Sequence, residues 1–431
     1  MNSHINKNIG WNVLGSVTGK LINPLLQLLV ARFLLPEDYG IFSLALAIVL
    51  FAEVFKDLGL TDAIIVSQDK INYIALQFTV QLTVSLIFYL ILLFITPELS
   101  VLFEEKELIY ILPLLGCLFF FRSVSDALTT YYLKNQLYHR LAIRQMLYPL
   151  IASGMSLLLA YLGYGAYSLV IGVLLGELSI ALFLYRYCPQ SIHWYWQTEI
   201  FFKLFTLGKH VIVQRFSSFL TLQADSFVIG KELNANALGL YRVGNQLSTL
   251  LPNAIVNQAR QVIFTELSKN RAQEYTIYHY YRFYIFAGIL LTFYSMGVYL
   301  LAPFVVTLVL GEAWTPLIPI VQMFSVSVIT GHISMLNIDI AKLLNFSRLY
   351  SYSLILRAMI TLVALAWAVR YGLDAVIITW VLISMLDNCI NEILFHFNQT
   401  FIPLKKEKVL LYLLAWSWTL SVMHSVNFPT I

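Results

Sequence analysis

The stretch WNVLGSVTGKLINPLLQLLVARFLLPEDYGIFSLALAIVLFAEVFKDLGL, residues 11–60, holds two apolar runs separated by Pro36, Glu37 and Asp38. The runs cover Ile9–Leu35 and Tyr39–Phe55. A helix needs about 20 mostly apolar residues to cross a bilayer, so two successive runs read as two membrane spans. The polar residues of the first run are not scattered. Asn12, Ser16, Lys20, Asn23 and Gln27 recur at steps of three or four, so one helix face carries them all. In lipid that face must meet another helix or water, and a lysine near mid-span costs roughly 2.5–3.5 kcal/mol on insertion scales.

The rest of the chain continues the pattern. Hydrophobic residues make up 59% of the 431 and charged residues 12%, against about 25% charged in a soluble domain. Mean hydropathy is +0.76. A chain this apolar cannot cover its surface with polar groups in water, so its solvent is lipid. Further apolar runs fall at Tyr73–Ile95, Leu108–Leu133, Leu141–Leu162 and Tyr167–Tyr187. The second half offers Phe201–Gly230, Leu238–Ile263, Tyr281–Leu301, Pro316–Leu343, Leu349–Val369, Ala375–Phe397 and Val409–Val426. The expectation is an all-α polytopic membrane protein of about 13 spans. The loops are too short to hold a soluble domain, and no cleavable leader is expected ahead of the first span.

Lysine and arginine favour one set of loops, which includes Lys56, Lys134, Arg140, Arg186, Lys203, Lys269 and Arg348. That side is expected to be cytoplasmic and to hold the N-terminus, which leaves the C-terminus outside.

Several chemistries are disfavoured. The net charge is only +4 and the basic residues are dispersed, so nucleic acid is not an expected partner. Cys117, Cys188 and Cys389 form no CxxC, and neither a disulfide framework nor a metal site is expected. GSVTGK, from Gly15, lacks phosphate-loop spacing and lies within a span, and there is no HExxH or nucleophile elbow. No cofactor and no enzymatic activity are expected. A sugar polymerase would need a sizeable outside loop bearing acids or His, which the spacing of the runs does not leave.

Internal similarity suggests a duplication. TPELSVLFEEKELIYILPLLGCLFF, from Thr96, aligns with APFVVTLVLGEAWTPLIPIVQMFSV, from Ala302, so that Pro97 matches Pro303 and Pro113 matches Pro319. YGIF, from Tyr39, resembles LGLY, from Leu238, and YGAYSLVIG, from Tyr164, resembles YGLDAVIIT, from Tyr371. Glu177 and Asp387 then occupy equivalent places inside late spans. Four matches in one order, about 200 residues apart, predict two parallel six-helix repeats around a central cavity. The expected bundles are 1–200 and 201–400, with 401–431 as an additional helix.

The polar stripe of the first span recurs in the second half. The eighth span carries Arg242, Asn245, Gln246, Thr249, Asn253, Asn257 and Arg260. The seventh carries Gln214, Arg215, Ser218, Thr221 and Asp225. A helix seam needs fewer hydrogen-bonding groups than this, which points to a solvated cationic cavity. Lys20, Arg215, Arg242 and Arg260 are its candidate anion-binding groups, because the arginine fork suits phosphate. Asn23, Gln27, Asn245 and Asn253 are candidates for contacts to a polar substrate. Asp225 is a candidate cavity residue that could equally pair with Arg215 or Arg242. Arg122 and Asp126, one turn apart, read as a mutual ion pair or a gate. Glu53 and Asp57 read as end-of-span groups, and His332 as a hydrogen-bonded helix histidine.

The opening run resembles the polysaccharide-export branch of the multidrug/oligosaccharidyl-lipid/polysaccharide flippase superfamily, most specifically in RFLLPEDYGIFSLA followed by DLGL. KNQLYHRLAIRQ, YGAYSLVIG, ADSFVIGKELNANALGLY and LVLGEAWTPL resemble further landmarks, and the likeness extends over roughly Ile9 to Phe397. The resemblance implies a bacterial inner-membrane flippase for undecaprenyl-pyrophosphate-linked oligosaccharide units. Its partners would be that lipid-linked substrate, membrane lipid and other polysaccharide assembly proteins. The alternative within the fold is a cation-coupled drug or metabolite exporter, which predicts a carboxylate-centred ion site.

Overall fold

A computed structural model of the chain describes residue 19 and residues 22–67, 72–188, 193–268, 273–343, 359–397, 416–422 and 424–426. Among them there is helix but no strand. The helices are α1 (Ile22–Ala31), α2 (Pro36–Lys56), α3 (Leu60–Val66), α4 (Asn72–Leu102), α5 (Leu108–Gly116), α6 (Leu118–Lys134), α7 (Tyr138–Tyr161) and α8 (Ala166–Arg186). They continue with α9 (Thr198–Glu232), α10 (Ala235–Ser268), α11 (Gln273–Val305), α12 (Leu317–Leu343), α13 (Met359–Tyr371) and α14 (Leu373–Phe397). Residues 416–422 are helical. Among the described residues, eight helical stretches are long and apolar enough to cross a membrane. The protein is an all-α polytopic membrane protein.

Lipid-facing surface is evident on two of the longest helices. Only 28% of the most apolar window of α4 and 22% of that of α11 is buried. Phe94 and Phe293 are 81% and 71% exposed, which lipid tolerates better than water.

The chain forms two compact units, Met1–Gly239 and Leu240–Ile431. The core of the first gathers Leu60, Leu76, Leu128, Tyr132, Ile180 and Leu204 from α3, α4, α6, α8 and α9. The α7–α8 hairpin packs closely because Gly172 lets its backbone approach Ala152 and Ser156. The segment between α1 and α2 explains the PEDY sequence. Pro36 opens α2, where its missing N–H costs nothing. Asp38 reaches back to accept from the Leu35 N–H at 3.0 Å, and its other oxygen accepts from the Ala166 N–H, also at 3.0 Å. One carboxylate thus caps two helices, tying RFLLPEDYG to YGAYSLVIG.

The second unit is built on Tyr280, Tyr284, Leu291, Ile329, Ile333 and Leu336 of α11 and α12, with Val256 of α10. Ser334 of α12 donates to Asp387 of α14 at 2.5 Å, and Asn388 donates to the Thr330 carbonyl at 2.9 Å.

Three details depart from the hydropathy reading. After α2 the chain turns through left-handed Leu58 and Gly59 (φ 50° and 74°) and forms α3, a short helix absent from the expectation. Gly59 also meets Gly208 of α9 backbone to backbone, where a Cβ on either residue would overlap the other's carbonyl. The expected span at Leu108–Leu133 stands as one apolar stretch, Leu108–Lys134, but carries a one-residue turn at Cys117, whose N–H bonds the Leu114 carbonyl. Finally, α9 and α10 are long helices that fall outside the eight apolar candidates, because their polar stripes lower their hydropathy.

A buried charge network and the candidate site

The C-terminal end of α2 and its continuation, EVFKDLGLTD from Glu53, supply four charges within ten residues. Helical spacing places Glu53, Lys56 and Asp57 on one face of α2, and that face turns inward. The Lys56 side chain is 2% exposed. Its Nζ lies 3.2 Å from Asp126 of α6 and 3.8 Å from Glu53. Arg122, one turn before Asp126 on α6, reaches across to Glu53 and, through Nε at 3.0 Å, to Glu177 of α8. Glu177 keeps a second buried oxygen without a hydrogen-bond partner among the described residues. Beside this group Asp57 accepts from Gln81 Nε2 and Thr61 Oγ1, both at 2.6 Å, and from Arg215 of α9 at 2.7 Å. Arg215 also holds Asp62 at 2.9 Å.

Five carboxylates (Glu53, Asp57, Asp62, Asp126 and Glu177) are thus tied to three cations (Lys56, Arg122 and Arg215). Asp126, Arg215 and Asp62 are 37%, 36% and 50% exposed, while the other members are largely removed from water, where charges persist only when paired. The network therefore pins α2, α3, α6, α8 and α9 to one another.

The residues expected from sequence fall as follows. Lys20, Asn12 and Ser16 lie outside the described residues. Asn23 of α1 accepts from Ser153 of α7 at 3.2 Å. Gln27 is half-buried, and its carbonyl accepts from the Tyr39 hydroxyl. Arg215 is engaged by Asp57 and Asp62, and Asp225 is buried, accepting from the Ser226 N–H at 2.8 Å. These all belong to the first unit. In the second, Arg242 and Asn245 are half-buried and Asn253 is exposed, accepting from Asn257 at 3.0 Å. Arg260 lies 3.4 Å from Asp339 and donates to the Met335 carbonyl at 3.2 Å. Arg122 and Asp126 do not pair with each other, as the i,i+4 spacing suggested. Each is taken by another partner, because the packing brings Glu53, Glu177 and Lys56 nearer. Glu53 and Asp57 are interior network residues rather than end-of-span groups. His332 bonds the Val328 carbonyl through Nδ1 at 2.9 Å.

Sequence reasoning missed the partnership of Glu53, Lys56 and Glu177. The available signal was the spacing of Glu53, Lys56 and Asp57 at the end of an otherwise apolar run, which a lipid-facing helix could not carry. Arg144 of α7 was missed too. Its Nη1 donates to Thr129 of α6 at 2.8 Å.

Comparison with known proteins follows the same lines. A family described as polysaccharide biosynthesis protein matches residues 29–319. The chain is 25% identical over 268 residues to the succinoglycan biosynthesis transport protein ExoT of Rhizobium meliloti (strain 1021), covering 59% of this chain and 52% of that protein. It therefore spans about half the length of that relative. It is 21% identical over 350 residues to an uncharacterized membrane protein in the cps region of Klebsiella pneumoniae, covering 74% of this chain and 67% of that one. Among solved structures, the lipid II flippase MurJ in an inward closed conformation superposes with a TM-score of 0.70 at 13% identity, over 95% of this chain and 98% of that one. An inward-facing multidrug resistance MATE family transporter of the MOP superfamily gives 0.56 at 16% identity, over 97% and 96%. These likenesses establish a shared fold.

Proposed function

Because the chain belongs to the polysaccharide biosynthesis protein family, we propose that it is a flippase for undecaprenyl-pyrophosphate-linked oligosaccharide units. It moves them from the cytoplasmic to the periplasmic leaflet of a bacterial inner membrane, with its own N-terminus in the cytoplasm. The observation that carries the reading is the polar, cation-bearing stripe of α10, a 34-residue helix on which Arg242, Asn245 and Arg260 are half-buried. A pyrophosphate that leaves water to cross a bilayer must exchange hydration for fixed positive charge. Lys20, Arg215, Arg242 and Arg260 are the proposed sources of that charge, with Asn23, Gln27, Asn245 and Asn253 for the sugar and Asp225 as an orienting acid. The chemistry is binding and release, with no bond made or broken.

Deleting the gene in a polysaccharide-producing host should abolish surface polymer and strand lipid-linked units on the cytoplasmic face. Restoring Arg242→Ala instead of the parent should leave export slower by roughly ten- to a hundredfold, the loss of one charge-assisted hydrogen bond. Periplasmic arrival of the units at the parental rate in the deletion strain would overturn the proposal.

The surplus of carboxylates in the first unit favours one second reading, a cation-coupled exporter of small molecules. That reading requires the deletion strain to lose resistance to a cationic drug while polymer export continues.

A further inference from the structure

Each of three cations inside the first unit is already matched. Lys56, Arg122 and Arg215 each lie within 4.0 Å of a carboxylate. Arg144 differs. It sits in the candidate span Tyr138–Tyr161, six residues from its start, which at 1.5 Å per residue is about 9 Å along the helix. It is half-buried, and among the described residues no carboxylate pairs with it. Among the described residues its hydrogen bond runs to Thr129 of the neighbouring helix α6. Thr129 is fixed for the purpose, because its own hydroxyl proton goes to the Ser125 carbonyl at 2.6 Å and leaves a lone pair facing the guanidinium.

We propose that Arg144 is a phosphate-binding residue of the first unit, held ready by Thr129 to take the pyrophosphate of the lipid-linked substrate. This rests on the flippase reading above and adds to it a residue outside the polar stripes. A guanidinium presents five N–H donors. One is spent on Thr129, and the rest keep the fork that matches two oxygens of a phosphate. A planar cation without an internal counter-ion gains most from a ligand that brings negative charge. The guanidinium of Arg122, held between Glu53 and Glu177, offers no such gain. The same chemistry could serve the headgroup of a bulk anionic phospholipid, so the test separates the two.

The full-length protein is placed in nanodiscs of phosphatidylcholine, and binding of undecaprenyl pyrophosphate is measured by native mass spectrometry. Undecaprenol and phosphatidylglycerol serve as parallel probes. Arg144→Ala should weaken undecaprenyl pyrophosphate by about ten- to a hundredfold, Arg144→Lys by less, and Thr129→Val by about threefold. Undecaprenol should bind all variants alike, which reports an intact fold. Exposed Arg282→Ala, in the second unit, should bind like the parent. The inference is overturned if Arg144→Ala binds undecaprenyl pyrophosphate within about twofold of the parent. It is also overturned if phosphatidylglycerol loses as much as the pyrophosphate probe, which would make the site a bulk-lipid contact. If the parent itself does not bind undecaprenyl pyrophosphate, the flippase reading fails, and this inference with it.

Discussion

Replacing Arg122 by Met tests whether the buried network stabilises the first unit. The methionine keeps most of the side-chain volume and removes the charge. In the parent, Arg122 is 18% exposed and stands between Glu53 and Glu177, themselves 14% and 9% exposed. Without it, Glu177 has no cation, and Glu53 keeps only Lys56 at 3.8 Å, which is already bound to Asp126. Breaking one buried pair typically costs about 3–5 kcal/mol, because the orphaned charge stays desolvated. For a unit of this size, each kcal/mol moves the melting temperature by about 2 °C, so Arg122→Met should lower it by about 6–10 °C. Thermal unfolding of the purified protein in detergent, followed by tryptophan fluorescence, measures this directly. Arg122→Lys should fall in between, since it retains the charge but not the fork. Adding Glu53→Gln and Glu177→Gln to Arg122→Met should recover much of the loss, because the penalty lies in the unpaired carboxylates and not in the missing arginine. The reasoning is refuted if Arg122→Met melts within about 1 °C of the parent. It is equally refuted if the triple variant is no more stable than the single one.

Asp38→Ala removes the acceptor for both the Leu35 and Ala166 N–H groups, and should cost about 1–2 kcal/mol by the same melt, with Asp38→Asn closer to the parent. Glu105 lies in the loop between α4 and α5, where burial, and then the nearby Glu37, raise its carboxyl pKa above the usual value. A carboxyl whose folded pKa is raised destabilises the fold when ionised, fully above that pKa and not at all below the unfolded value near 4.5. Glu105→Gln should therefore raise the melting temperature at neutral pH, with the gain vanishing as pH falls toward 4.5; a gain that persists unchanged in acid would contradict the assigned cause.

The helices were legible in the sequence because hydropathy is a local property. Apolar runs at Tyr39–Phe55, Pro316–Leu343 and Ala375–Phe397 reappear as α2, α12 and α14 with ends shifted by a few residues at most. The family was legible because its motifs, among them PEDYG and YGAYSLVIG, are contiguous stretches that a sequence displays directly. The polar stripes could be seen as well, but not what each charge would meet. Arg122 finds Glu177 55 residues away and Glu53 69 away, while Arg215 finds Asp57 158 residues away. A one-turn neighbour such as Asp126 looked the natural partner of Arg122 because sequence displays only the helix's own surface. In a dry interior the pairing energy depends steeply on distance and on what else is desolvated nearby. Which carboxylate wins is therefore decided by how α2, α6, α8 and α9 pack. Among the described residues the same packing leaves Arg144 without a carboxylate partner, a property of the tertiary structure that no spacing in the sequence contains.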